Sequence, residues 1–117
     1  MTYNKTKGYY NKYKNKKITI YGITFDSQHE AERYLQLKHL EKIGEISNLE
    51  LQKAFVLIPS QYIDGKCVER PCKYIADFCY EQGGKTIVED AKGYKVETYR
   101  IKKKMMLYLK GIQVKEY

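Results

Sequence analysis

The sequence predicts a single domain of the α/β class, in its α+β form with a mixed sheet, and three observations carry that prediction. Short runs rich in Ile, Val, Tyr and Phe alternate apolar with polar side chains, the period of a strand. Two other stretches repeat apolar residues at helical spacing. Glycines stand between runs where the chain must reverse. The expected order is β-α-β-β-β-α-β, with helices packed on the sheet.

Residues 1–16 form a basic, tyrosine-rich arm, and residues 17–117 form the domain. Up to residue 17 the chain holds Lys5, Lys7, Lys12, Lys14, Lys16 and Lys17 with no acid, together with Tyr3, Tyr9, Tyr10 and Tyr13. Such an arm can be a solvated tail, or its lysines can neutralise phosphates while its tyrosines stack on bases. The two readings are compatible, because such arms can order on binding. Ile18, Ile20, Ile23 and Phe25 alternate around Tyr21-Gly22, which predicts a short hairpin or a bent edge strand. A helix is expected from about Ser27 to Ile43, stopped by Gly44, with Ala31, Tyr34, Leu35 and Leu37 inward. Glu30 falls on that side too. Ser27-x-x-Glu30 is also a capping box, so the glutamate either closes the helix start or serves a site.

Ile46 to Pro59 reads as extended chain in two halves about Gln52, and Ser60 to Pro71 as a connection containing the Asp64-Gly65 turn. Tyr74-Ile75-Ala76-Asp77-Phe78-Cys79-Tyr80 and Lys85-Thr86-Ile87-Val88-Glu89-Asp90-Ala91-Lys92, joined at Gly83-Gly84, form the central hairpin. A second helix is expected over about Glu97 to Leu109, with Ile101, Met105, Tyr108 and Leu109 as its apolar stripe. Its Arg100, Lys103 and Lys104 suit either a solvated face or one turned to DNA. Gly111 ends it, and Ile112 to Tyr117 is read as a last strand.

The totals narrow the function classes. At 117 residues there is room for one core. No apolar run reaches the roughly 20 residues of a membrane span, and the start lacks a signal-peptide centre, so a cytoplasmic protein is expected. Cys67, Cys72 and Cys79 match neither a zinc knuckle nor a disulfide framework, and no nucleophile arrangement joins them to His29 or His39. A net charge of +8 and a pI near 9.3 suit a polyanion, nucleic acid above all.

The acids carry the chemistry. Strand alternation puts Asp90 and Lys92 on one face and Glu89 on the other, and puts Asp77 beside Ile75 and Cys79. A charge in such surroundings needs a partner or a metal. Phosphodiester hydrolysis requires an activated water and stabilisation of charge on the phosphoryl oxygens, which divalent ions can supply. Mg²⁺ takes hard oxygens and only one or two carboxylates, so Asp77, Asp90 and the Ala91 carbonyl are candidate ligands, with Glu30 completing the site or serving a second metal. Lys92 then positions or deprotonates the attacking water, or neutralises the developing charge.

Taken together, these segments resemble the PD-(D/E)XK nuclease superfamily. Ala76-Asp77 stands where that family has Pro-Asp, and Asp90-Ala91-Lys92 is the (D/E)XK element. More narrowly, four segments look like a small phage-encoded branch: Phe25 to Tyr34, Ile46 to Gln52, Tyr74 to Tyr80 and Val88 to Gly93. The resemblance runs from about Lys16 to the end.

It implies a restriction-endonuclease-like α-β-β-β-α-β core, preceded here by the basic arm and an extra strand or hairpin. It also implies Mg²⁺-dependent DNA cleavage, with Mn²⁺ able to substitute, and Glu30, Asp77, Asp90 and Lys92 as the active site. Alanine in place of the motif proline removes no ligand. Gln52 recurs in the resembling segment and either contacts a metal-bound water or DNA, or is a strand-end amide. The expected DNA-contacting set is Lys12, Lys14, Lys16, Lys17, Gln52, Lys95, Arg100, Lys103 and Lys104.

A chain this small has no separate sequence-reading segment, and one compact site cuts one strand at a time. The expectation is therefore a homodimer acting on branched DNA, like a phage Holliday junction resolvase, with neither a membrane nor a small-molecule substrate as partner. The alternatives are a non-catalytic nucleic-acid-binding protein on the same fold and a nuclease subunit of a phage recombination or packaging assembly.

Overall fold

A computed structural model describes residues 16–91 and 96–117. The expectations placed on Lys12, Lys14, Lys92 and Lys95, and on the arm up to residue 15, lie outside the described residues. Two compact units divide the chain, Met1–Gln36 and Leu37–Tyr117, with the boundary inside the first helix. The described residues fold as a mixed α+β structure with a mixed sheet and two helices.

In the first unit, β1 (Ile18–Ile20) and β2 (Ile23–Phe25) pair antiparallel. Both turn residues, Tyr21 and Gly22, have positive φ, which matches the twist of a two-residue hairpin. Helix α1 (Gln28–Lys42) begins here with Ser27 ahead of it. Phe25 and Tyr34 stack at 5.0 Å and are buried together with Ala31. Leu35, expected inward, is exposed, because the buried residues of α1 are Glu30, Ala31, Tyr34 and Leu37.

In the second unit α1 ends at Gly44, where φ is +84°. The Glu45 amide bonds back to the Leu40 carbonyl and the Gly44 amide to that of Glu41, a Schellman ending that gives the last carbonyls their donors. Four strands then build the sheet in the order β3-β6-β7-β8: β3 (Ser47–Ile58), β6 (Cys72–Gln82), β7 (Lys85–Asp90) and β8 (Lys115–Glu116). The first three pair antiparallel and β8 lies parallel to β7, which makes the sheet mixed. Gly83 and Gly84, both at positive φ, make the tight turn from β6 to β7.

The connection from Ser60 to Pro71 is itself a hairpin, β4 (Gln61–Ile63) and β5 (Lys66–Glu69) around Asp64-Gly65, and all of its strand residues are exposed. It was legible as a turn but not as two strands, since it buries nothing that would print a pattern.

Helix α2 (Glu97–Lys110) corrects the expected stripe. Ile101 and Tyr108 are 50% and 89% exposed, and Leu109 is exposed as well. Met106 is fully buried in a cluster with Leu57, Tyr74, Ala76, Cys79, Val88 and Val114, with Tyr99 and Met105 packed against it. The inward face is rotated by about one residue because Met106 and Tyr99, not Ile101 and Tyr108, meet the sheet side chains; burying Met106 contributes about 1.5–3 kcal/mol. The last strand is shorter than expected. Only Lys115 and Glu116 pair, against Glu89 and Asp90, while Val114 goes into the core. Among the described residues no helix is long and apolar enough to cross a membrane.

Candidate functional site

The site grows from the end of one ladder. Strands β6 and β7 pair from Gln82↔Lys85 to Phe78↔Glu89, and the next step of that register brings Asp77 and Asp90 to the open end. Alternation sends their neighbours the other way: Glu89 is 3% exposed and accepts the Tyr80 hydroxyl at 2.5 Å, whereas Asp77 and Asp90 are only half-buried. On the far side of β6, the pairs Leu51↔Phe78 and Lys53↔Ala76 put Gln52 across from Asp77. On the far side of β7, Asp90 pairs with Glu116. Gln52, Asp77, Asp90 and Glu116 thus stand at one level on four successive strands.

Asp77 is cradled by neutral donors. Its Oδ2 accepts the Ala91 amide at 3.0 Å and the Tyr117 hydroxyl at 2.9 Å. Its Oδ1 lies 3.5 Å from Nε2 of Gln52, a long bond. Hydrogen bonds to an ionised acceptor contribute about 1.5–3 kcal/mol each. Asp77 was expected among apolar neighbours. Of the two, Cys79 is buried and Ile75 is 53% exposed, so the acid stands where that face opens, and these donors offset its partial burial.

Gln52 departs from expectation as well: it sits inside β3, not at a strand end, and holds φ at +52°. A left-handed residue that is not glycine costs about 1–2 kcal/mol, and such strain gathers at functional positions.

Asp90 accepts the Tyr74 hydroxyl on Oδ2 at 2.8 Å, and its carbonyl accepts the Tyr117 amide at 3.1 Å. Burial first, then the charge of Asp90, pushes the Tyr74 phenol well above its ordinary value. Burial and the bond to Glu116 do the same to Tyr99, whose hydroxyl meets Oε2 of Glu116 at 2.8 Å. Lys103 reaches that same oxygen at 3.3 Å.

Two clefts flank α2. One, of about 310 Å³, has Asp90 in its wall with Lys73, Tyr74, Ile75, Tyr99 and Lys102. The other, of about 340 Å³, is lined by Arg100, Lys103, Lys104, Leu107, Gln113 and Val114. Of the expected DNA-contacting set, Lys103 is held by Glu116, Lys17 pairs with Asp26 at 3.1 Å, and Lys16, Arg100 and Lys104 are exposed.

Glu30 belongs to the first unit and is 9% exposed. Its amide donates to Ser27 Oγ at 3.1 Å, and its Oε1 accepts the Asp26 amide at 3.3 Å. That is a capping box reaching one residue further back than the usual form. Tyr74, Tyr117, Glu116, Lys73 and Lys102 were not singled out from the sequence. Only Tyr74 and Lys73, three and four residues before Asp77, carried any hint; Glu116 and Tyr117 are brought in by the pairing of β8, and Lys102 by its place on α2.

The donor chemistry suits a hard divalent cation. Among the described residues no three His, Cys, Asp or Glu side chains gather as a metal cluster; Asp77 and Asp90 are placed by register on neighbouring strands at the ladder end. Mg²⁺ characteristically uses one or two carboxylates and keeps several waters, so a pair beside a backbone carbonyl fits it.

The family model for DUF1064, described as a protein of unknown function, matches residues 10–116. The chain belongs to that family. Its DUF1064 match takes in the described part of the ladder end, from Gln52 to Glu116. No curated protein and no solved structure matches the chain.

Proposed function

We propose that the chain is a divalent-metal-dependent DNA endonuclease that hydrolyses phosphodiester bonds, selective for branched DNA in the manner of phage Holliday junction resolvases. The observation that carries this reading is the pair Asp77 and Asp90 at one ladder end. Asp77 accepts from the neutral donors Ala91 and Tyr117 and, at longer range, Gln52, which orient a carboxylate without occupying it with a charged partner among the described residues. The element order supports it too: α1, β3, β6, β7, α2 and β8 follow the order that the resemblance implies, with the β4–β5 hairpin inserted.

Asp77 and Asp90, with the Ala91 carbonyl, would hold the cation. Bound there, Mg²⁺ supplies charge neutralisation at the phosphate and a more acidic water. The chain's own groups do the rest. The Ala91 amide orients the Asp77 carboxylate, and Tyr74 orients that of Asp90. Lys73 and Lys102 line the cleft beside Asp90 and would meet the flanking phosphates. Lys92, two residues after Asp90, takes the role of orienting the attacking water or countering charge on the phosphoryl oxygens. A homodimer would set two such sites across a symmetrical junction.

The reading of the acids as mere structural partners for lysines fits Glu116, which pairs with Lys103; among the described residues the partners of Asp77 are Gln52, Ala91 and Tyr117. The test is cleavage of a four-way junction against linear duplex of the same sequence, with Mg²⁺ and with EDTA. Mg²⁺-dependent nicking that favours the junction is expected. Equal cutting of both substrates removes the resolvase claim, and no cutting of either removes the nuclease.

A further inference from the structure

Tyr117 touches both acids by different atoms. Its backbone amide donates to the Asp90 carbonyl at 3.1 Å, and its hydroxyl donates to Asp77 Oδ2 at 2.9 Å. Its ring packs on Phe78 at 5.8 Å with the planes 48° apart. Phe78 is fully buried and adjoins Asp77 on β6. The tyrosine is therefore anchored at three points, one on β7 and two on β6, the strands that carry the candidate ligands. Strand β8 reaches the sheet by two paired residues, and the Tyr117 side chain adds to them a contact with β6.

We infer that Tyr117 is a positioning residue that fixes the Asp77 carboxylate against Asp90, so that the two present their oxygens to one divalent cation. The inference rests on the nuclease reading above. Its physical basis is orientation: a strand aspartate rotates about its side-chain bonds, and a ligand held in one rotamer pays less ordering entropy when a cation binds. The Ala91 amide alone fixes one oxygen by one bond. The hydroxyl of Tyr117, the residue that follows β8, gives the same oxygen a second donor from a different segment of the chain.

Tyr117→Phe tests this, since phenylalanine keeps the ring on Phe78 and removes only the hydroxyl. The probe is Mn²⁺ alone, titrated calorimetrically into the full chain without DNA. Partners of metal ligands characteristically contribute 10–100-fold to affinity, so about tenfold weaker Mn²⁺ binding is expected, with the thermal midpoint recorded on the same sample. In cleavage assays the Mg²⁺ concentration giving half the maximal rate should rise by a similar factor, with kcat at saturating Mg²⁺ largely kept.

A folded variant that binds Mn²⁺ as the parent does overturns the inference and leaves the nuclease reading standing. A parent chain that binds no Mn²⁺ overturns both. Should the variant not fold, the parent still decides: its Tyr117 hydroxyl proton should be visible by NMR in slow exchange and shift on Mg²⁺ addition. Exchange at the solvent rate, or no shift, overturns the inference.

Discussion

Asp77 accepts the backbone amide of Ala91 at 3.0 Å, which ties the carboxylate of β6 to the residue that follows Asp90 on β7. This bond extends the ladder past its last paired step, Phe78↔Glu89, with a side chain in place of a carbonyl. Two substitutions separate its structural and chemical parts. Asp77→Asn keeps an oxygen for Ala91 and Tyr117, so it is expected to fold, to bind DNA with the same salt dependence, and to lose cleavage by about 100-fold or more. Asp77→Ala removes the acceptor that Ala91 and Tyr117 share and should also cost about 1–3 kcal/mol in urea unfolding. Full nicking activity in a folded Asp77→Asn chain would remove Asp77 from the site.

Glu30 has a structural duty that the structure accounts for within its own unit, and a catalytic one that comes from the resemblance. Glutamine serves a capping box as glutamate does. Glu30→Gln should therefore keep stability within about 0.5 kcal/mol, while Glu30→Ala costs about 1 kcal/mol. If the carboxylate also serves catalysis, cleavage falls in both variants by the same large factor. Unchanged cleavage by Glu30→Gln would confine Glu30 to capping.

Stability is expected to fall on the alkaline side. Tyr74 is held above its ordinary value of 10.0 by burial and then by Asp90, so above that pH the unfolded chain has released a proton that the folded chain retains. The folded state then binds more protons, and its advantage shrinks as pH rises, by about 1 kcal/mol per pH unit for a buried phenol. Urea midpoints from about pH 9 to 11 measure it, and Tyr74→Phe should flatten the slope. At the acid end the sign reverses. The Leu49 amide, and after it Lys38, holds Glu41 below its ordinary 4.5, so its contribution is present above that value and is lost as pH falls further. A slope unaffected by Glu41→Gln would count against that assignment.

The cysteines report on the core directly. Cys79 is buried, and burial followed by the charge of Glu50 pushes its thiol up, away from the reactive thiolate. Cys67 is exposed and Cys72 half-buried. Alkylation followed by mass spectrometry should label Cys67 first, Cys72 more slowly and Cys79 only on unfolding. Equal labelling of Cys67 and Cys79 would contradict the packing of Cys79 with Val88 and Met106.

Much of this was legible because local chemistry and the fold agree. Gly44, Gly83-Gly84 and Gly111 each stand where φ is positive, a requirement that composition alone reveals. Period-two alternation distinguished Asp90 from Glu89, and the structure buries Glu89 while leaving Asp90 at a cleft. The α2 stripe held at Met105 and was misread at Ile101, Tyr108 and Leu109, which form with it as good an apolar period as Tyr99 and Met106, and propensity does not say which side meets a sheet.

What the sequence determined by itself is the set of turns, the two helices, the central hairpin and the acids that hairpin carries, since each depends on residues close along the chain. Only the tertiary structure decided that Gln52, Tyr74 and Tyr117 meet those acids. Tyr117 is 40 residues from Asp77, and its partner is chosen by the parallel pairing of β8 with β7. No local preference encodes such a choice. It follows from which strands share backbone hydrogen bonds, and a register one residue off would have turned every one of these side chains to the other face.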